Sequence, residues 1–280
     1  METFREITED QASGAVREIY DDVRKFYAAP YVSSLFRHLA TYPGLLEWVW
    51  EIMAPGFTSG TIQHTGWNRV DLIGLEPLDP ISRTAMRGLG VDANGQIKIA
   101  NICRTFTRVS PINLVVAGCL SRLLTGDVGM CGTTAPPAPV ALPTALPKLP
   151  GMVSWEELDA NQRSILGTFK TDLAGESFVP GLYRILARWP GYLTHVSIVL
   201  GPRLSDPVTL ANCKAIADRI GDAASKVLAF LEPPTTNLPL STDETTRVLA
   251  AIQTYRGTSP QMIGFGTLLL NALPKDSAGG

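Results

Sequence analysis

Ionisable side chains are scarce in this chain of 280 residues: Asp, Glu, Lys and Arg make up 18% of it, and the formal charge is only −2. No Lys/Arg-rich run occurs, so the electrostatic footprint that a phosphate backbone requires is missing and nucleic acid is not an expected partner. Long apolar runs are missing as well. None approaches the roughly 20 residues of a membrane-spanning helix, and no membrane association is expected. The start, Met1-Glu-Thr-Phe-Arg-Glu-Ile-Thr-Glu-Asp, is acidic where a signal peptide is basic and then apolar, which gives a cytoplasmic location as the expectation. The four cysteines, Cys103, Cys119, Cys131 and Cys213, show no Cys-x-x-Cys spacing. Three of them stand in apolar or helical contexts, where a free thiol behaves as a small hydrophobe. Three isolated histidines, His38, His64 and His195, lack metal-ligand spacing. With no nucleotide fingerprint or phosphate loop either, no cofactor and no metal are expected.

What the chain does have is an internal echo. Tyr31-Val-Ser-Ser-Leu-Phe-Arg-His-Leu-Ala-Thr-Tyr-Pro-Gly-Leu-Leu returns 147 positions later as Phe178-Val-Pro-Gly-Leu-Tyr-Arg-Ile-Leu-Ala-Arg-Trp-Pro-Gly-Tyr-Leu. Over positions 31–55 ten residues are identical in the two copies, including Arg37/Arg184, Pro43/Pro190 and Gly44/Gly191. Further on, Phe106 with Ser110-Pro111 is answered by Tyr255 with Ser259-Pro260, an offset of 149. A period this long is not that of a solenoid, and it points to a duplicated unit forming a pseudo-dimer within one chain. The expected organisation is a first helical repeat at 1–132, a Pro-rich linker at 133–151 and a second helical repeat at 152–280. The linker carries six prolines between Ala135 and Pro150, which excludes a helix and favours an extended path.

Each half reads as helices. In residues 11–27, Val16, Ile19, Tyr20, Val23 and Tyr27 recur at spacings of three and four, the stripe of a helix with one face on a core. Helices over 31–41 and 45–54 are separated at Tyr42-Pro43-Gly44, and the same break recurs at Trp189-Pro190-Gly191. Asp92-Ala-Asn-Gly-Gln reads as a turn into a helix at 96–107, after which Ser110-Pro111 opens a second helix to about Leu124. Ser241-Thr-Asp-Glu is a capping sequence before a helix at 243–256, with Ser259-Pro260 opening a last one to Ala272. Strand-like alternation bounded by hairpin turns is absent. The expected fold is all-α, with 45% hydrophobic residues to fill its core.

Several of these segments together resemble the group I, D,L-acting 2-haloacid dehalogenases: Ala29-Pro-Tyr-Val, Arg37-His-Leu-Ala-Thr-Tyr-Pro-Gly-Leu-Leu, Leu75-Glu-Pro-Leu, Gly90-Val-Asp-Ala-Asn-Gly-Gln-Ile, Phe106-Thr-Arg-Val-Ser-Pro-Ile-Asn-Leu and Leu186-Ala-Arg-Trp-Pro. The resemblance implies an all-helical, duplicated, homodimeric enzyme. It also implies a buried cavity between the halves, where an aspartate activates water to displace halide from a small acid. The key positions depart from that pattern. Counted from the Trp-Pro of the second half, the family aspartate falls on Leu182. Its asparagine falls on Ser110, and its threonine/glutamate pair on Ser59 and Gln63. An amide stays neutral at working pH and cannot serve as general base, and a leucine cannot take a proton.

Ser59, Gln63 and Ser110 are therefore the candidate catalytic positions, with Tyr31, Ser34, Asn113, Leu182 and Tyr255 as candidate substrate contacts. Each also has a structural reading. Ser59 and Gln63 share a helical face, or sit in a solvated polar loop after Pro55-Gly56. Ser110 and Ser259 cap helices, and a capped helix start also attracts anions. Tyr31 and Tyr255 present hydroxyls, or are core aromatics. Arg37 and Arg184 clamp a carboxylate, or serve the fold common to both halves. Glu47 and Glu51 supply acid and base, or face solvent while Leu46, Val49 and Met53 face the core. Asp172 and Glu176 are candidates for a displaced base. Without a carboxylate at Leu182, the expected chemistry is elimination, cyclisation or intramolecular displacement on a small, largely apolar acid or its derivative, which draws on positioning. A non-catalytic ligand-binding or scaffold relative and a true dehalogenase with a relocated base are the alternatives.

Overall fold

A computed structural model describes residues 5–72, 74–126, 131–135, 138–173 and 175–275. The fold is all-α, as the sequence indicates, with eleven helices and one small hairpin among the described residues. The first group comprises α1 (Gly14–Tyr27), α2 (Ser34–Leu39), α3 (Leu45–Thr58), α4 (Thr61–Trp67), α5 (Arg83–Gly88) and α6 (Ala93–Leu124). The second comprises α7 (Ala160–Gly167), strands β1 (Thr171–Leu173) and β2 (Glu176–Phe178), α8 (Gly181–Leu186), α9 (Pro190–Leu200), α10 (Pro207–Leu228) and α11 (Thr242–Ala272). Helices α2 and α8 start at residues related by the 147-residue offset.

The long helices α6 and α11 pack on each other along most of their length, with α10 and α4 against α6. Both run unbroken through an internal proline, Pro111 in α6 and Pro260 in α11. The sequence reading of two separate helices on each side of Ser110-Pro111 and Ser259-Pro260 is thus corrected: neither serine is a helix cap. A proline inside a helix removes one backbone hydrogen bond at a cost of about 3 kcal/mol, and here the surrounding burial outweighs it, since Pro111 and Pro260 both lie in the buried part of their helices. The real caps are Asp92, whose carboxylate accepts from Gly95 N at 2.6 Å, and Ser241, which forms a capping box with Glu244.

A second correction concerns strands. Thr171–Leu173 and Glu176–Phe178 pair antiparallel, with Asp172 opposite Ser177. At three residues each they are too short for an alternation signal to register in the sequence. The helix expected at 31–41 is also shorter, running only over Ser34–Leu39 after an extended Ser33.

The linker is docked. Val140 N donates to Ser59 O at 2.8 Å, Leu146 N donates to Ala28 O at 2.9 Å, and Arg108 Nη1 donates to both Ala28 O and Thr144 O at 2.8 Å. Residues 138–150 have no regular secondary structure, as the prolines dictate; Pro136 and Pro137 lie outside the described residues. On α3, Leu46, Val49 and Met53 are buried and Glu51 is exposed, as expected from the sequence, while Glu47 is half-buried.

Close backbone approach is needed where α4 crosses the Pro111 turn of α6. A Cβ on Gly66 would lie 2.7 Å from the Pro111 carbonyl oxygen, whereas a Cβ on Gly88 would meet nothing within 4 Å. Gly66→Ala is expected to destabilise the fold by about 1–3 kcal/mol through overpacking, and Gly88→Ala to leave it unchanged or slightly firmer, both read from urea unfolding midpoints.

Candidate functional site

On α6, Phe106, Ser110 and Asn113 stand at i, i+4 and i+7, so they share one helical face. Tyr255, Ser259 and Met262 repeat that spacing on α11. These two faces, the segment at 31–35 and the segment at 178–181 line a cavity of about 40 Å³. Its walls come in pairs related by the two sequence offsets. Tyr31 and Phe178, Ser33 and Pro180, and Ser34 and Gly181 are 147 apart; Phe106 and Tyr255, Val109 and Thr258, Ser110 and Ser259, and Asn113 and Met262 are 149 apart. Only Leu35 lines the cavity without its counterpart, Leu182.

The polar groups of the cavity are hydroxyls and one amide. Tyr27, buried behind the wall, donates its hydroxyl to Asn113 Oδ1 at 2.9 Å. That bond fixes the amide and leaves its NH2 as the group available to the cavity. Burial raises the phenols of both Tyr31 and Tyr255 above their ordinary value of 10, in Tyr31 against the opposing pull of the Arg37 guanidinium. Both therefore stay protonated and can donate hydrogen bonds throughout the neutral range. Ser33 Oγ is buried without a hydrogen-bond partner at the start of α2. No Asp or Glu lines the cavity.

A carboxylate stands one step outside. Ser34, Phe178 and Gly181 also line an adjoining chamber of about 50 Å³, whose other walls include Glu6, Arg37 and Arg184. Beyond it, the same three charged residues border a groove of about 750 Å³ that runs along Leu149–Met152. Arg37 is 94% buried, Glu6 Oε2 lies 3.1 Å from its Nη2, and Nη2 also donates to Ser34 Oγ at 3.0 Å. The guanidinium further stacks on the Tyr31 ring, 5.5 Å from its centroid.

Glu6 reaches this position because the segment before α1 is tied down at several points. Arg5 N donates to Glu176 Oε2, His38 Nδ1 donates to Arg5 O, Ile7 N donates to Arg37 O, and Tyr20 Oη donates to Ile7 O. Glu9 adds an ion pair with Arg24 and accepts from Val32 N. Sequence reasoning missed Glu6, since an acidic start reads as a solvated tail. The nearest signal was Arg37 itself, a cation in an apolar helix that requires a counter-ion.

The expected site residues divide as follows. Tyr31, Ser34, Ser110, Asn113 and Tyr255 are brought together in the cavity. Leu182, Ser59 and Gln63 are not. Leu182 is fully buried in the core while its neighbour Gly181 forms the wall. Ser59 ends α3, donates to Gly56 O at 3.1 Å and bonds Thr61 Oγ1, and so does not share a helical face with Gln63 of α4. Gln63 is fully buried, its Nε2 donating to Phe57 O at 2.9 Å and to Phe26 O at 3.2 Å, which secures the end of α3 instead of facing a ligand. Asp172 is exposed in the hairpin and accepts from Gly175 N, and Glu176 holds Arg5; neither borders the cavity. Ser33, Phe178, Gly181 and Ser259 complete the walls.

Buried thiols offer no alternative nucleophile: burial pushes Cys103 up to about 12. Among the described residues no group of three or more His, Cys, Asp or Glu side chains is placed to hold a metal ion, and no helix is long and apolar enough to cross a membrane.

A D-2-haloacid dehalogenase mutant superposes with a TM-score of 0.79 at 19% identity, covering 96% of this chain and 95% of that one. The complex of a D-2-haloacid dehalogenase mutant with D-2-CPA gives 0.78 at 19%, and the complex of D-2-haloacid dehalogenase with L-LA gives 0.78 at 20%, each covering 96% of both chains. No protein-family model and no curated protein matches the sequence. The chain therefore has the fold of the D-2-haloacid dehalogenases over nearly its whole length.

Tyr27→Phe leaves the Asn113 carbonyl oxygen buried and unpaired, which should cost about 1–3 kcal/mol in unfolding free energy. Burial pulls His38 down to about 4 from its ordinary 6.5. Between these values the unfolded chain takes up the proton and the folded chain does not, so stability falls as the pH drops from about 6.5 to about 4. His38→Gln should flatten that part of a stability-against-pH curve; an unchanged slope would refute the assignment.

Proposed function

We propose that the chain is a dehalogenase-like enzyme of altered chemistry, acting on a small, largely apolar carboxylic acid or its derivative in the cavity between α2, α6, α8 and α11. The observation that carries this reading is the make-up of the cavity wall: hydroxyls and an amide, with no carboxylate to deprotonate water. Intramolecular displacement suits such a wall best. In that reaction the substrate's own carboxylate oxygen forms a C–O bond as the C–halogen bond breaks, and the halide leaves with the electron pair. No proton moves, so no base is needed. The protein has only to fold the substrate into reach and to solvate the departing anion. The hydroxyls of Tyr31, Ser110, Tyr255 and Ser259, with the Asn113 NH2, are donors of the right kind for that role.

The paired walls support a further part of the reading: a cavity on the internal axis of a duplicated chain, with repeats at 1–132 and 152–280 and the docked linker between them. In each pair where the copies differ in polarity, one half supplies the polar group, as Asn113 does opposite Met262 and Thr258 opposite Val109. Divergence of this kind turns a symmetric hole into an oriented site.

The test is to incubate the protein in ¹⁸O-water with 2-chloropropionate, 3-chloropropionate and 4-chlorobutyrate and to identify the products by mass spectrometry. The expected product is the lactone from 4-chlorobutyrate, free of solvent oxygen, with turnover reduced by roughly a hundredfold in Asn113→Ala. A hydroxy acid labelled at the substituted carbon would mean that water is the nucleophile and that a carboxylate such as Glu6 activates it. Binding without turnover of any of the three would favour a receptor.

A further inference from the structure

Glu6, Arg37 and Arg184 meet in the outer chamber although they come from the two ends of the sequence echo and from the segment before it. Their charges do not cancel: two guanidinium groups face one carboxylate, an excess of one positive charge. Nor are their hydrogen bonds complete. Arg37 Nε, Arg184 Nε and Glu6 Oε1 are buried and have no hydrogen-bond partner within the protein. Arg184 makes a single long bond, from Nη2 to Val153 O at 3.4 Å. Arg37 is buried and Arg184 half-buried, and guanidinium nitrogens out of contact with water are costly unless something else supplies acceptors. The rest of the chamber is apolar, with Met152, Trp155, Phe178 and Val179 on its walls.

We propose that this chamber is a carboxylate-binding site in which Arg37 and Arg184 jointly hold the acid group of a small monocarboxylate. The apolar body of the ligand lies past Ser34 and Gly181, the residues shared with the inner cavity. Glu6 is the internal counter-ion. It holds one edge of the Arg37 guanidinium in the empty protein and leaves the remaining donors to the ligand, in the forked geometry that suits arginine to carboxylates. The identical residues at positions 37 and 184 thus act as a pair on one ligand. This inference rests on the reading above for what happens in the inner cavity, and extends it by naming the residues that recognise the acid.

The sign of the Glu6 effect separates a binding role from a structural one. If Glu6 merely braces the fold, removing its charge weakens ligand binding. If it is the counter-ion in a site for anions, Glu6→Gln strengthens binding by removing a like charge from beside the ligand. Either single change strands a buried partner, Glu6 in Arg37→Gln and Arg37 in Glu6→Gln, so binding by Glu6→Gln is read on protein shown to be folded by its urea unfolding midpoint. The Glu6→Gln/Arg37→Gln double variant, neutral at both positions, strands neither.

The experiment is a ¹⁹F NMR titration of the full chain with 3,3,3-trifluoropropionate, using 3,3,3-trifluoropropionamide as the uncharged control. Saturable binding of the acid is expected, with the amide, Arg184→Gln and the double variant each weaker by roughly tenfold or more, and Glu6→Gln tighter. Equal binding of acid and amide, unchanged binding in Arg184→Gln, weaker binding in Glu6→Gln, or no saturable binding of the acid by the wild-type chain would overturn the proposal. The two readings fail separately: a solvent-labelled hydroxy acid would sink the displacement chemistry and leave the arginine site standing, while arginine-independent binding would do the reverse.

Discussion

The buried Arg37–Glu6 pair is the constraint around which the site is arranged. A guanidinium that is 94% buried must have a counter-ion and acceptors, and the chain meets that demand by drawing the segment before α1 across α2. Hydrogen bonds from Arg5, Ile7, Tyr20 and His38 hold the segment, and Glu176 of the hairpin receives its first described residue. The hairpin, the N-terminal segment and the start of α2 are thereby coupled to one charge pair. The same guanidinium lies over Tyr31 and bonds Ser34, both of which line the inner cavity. Outer charge and inner cavity are in this way parts of one arrangement.

From that pair inward, the environment changes from charged to neutral over a few residues. The groove carries Glu9, Asp10 and Lys148 beside the arginines, the chamber carries two arginines and one glutamate, and the cavity carries none of these. Such a gradient suits a molecule with one charged end and an apolar remainder. On the proposed reading it also divides the substrate: the carboxylate, which is the nucleophile, is held where charges are compensated, and the departing halide is solvated where the groups are neutral donors. Tyr31 and Tyr255, kept protonated by burial, and Asn113, oriented by Tyr27, give the neutral part a fixed set of donors. Preorganisation of this kind is what positioning chemistry requires.

Much of the helical architecture was legible in the chain because periodic apolar stripes and capping sequences are local signals. The α1 stripe of Ile19, Tyr20, Val23 and Tyr27 and the Ser241/Glu244 capping box follow from near neighbours alone. The misreadings share a different cause. Ser110-Pro111 and Ser259-Pro260 have the local form of helix starts, but tertiary burial carries α6 and α11 through them. Gln63 was a candidate because the resemblance places the family's glutamate there, whereas its amide bonds the end of α3. Glu6 was illegible because its role depends on contacts with residues more than thirty positions away. Five of the eight expected site residues line the cavity, and those that do lie on segments where the two copies align; Ser59 and Gln63 do not.

The central claim is that an acid is held by its charge at the arginines while neutral donors deeper in receive its departing halide. A crystal structure of the chain with 4-chlorobutyrate bound tests it most directly. The account predicts the carboxylate against Arg37 and Arg184, with the carbon chain folded back so that C4 lies beside a carboxylate oxygen and the chlorine points past Ser34 and Gly181 toward Asn113 and Tyr255. A carboxylate seated at Asn113 in the inner cavity, with an ordered water between Glu6 and the chlorinated carbon, would contradict it.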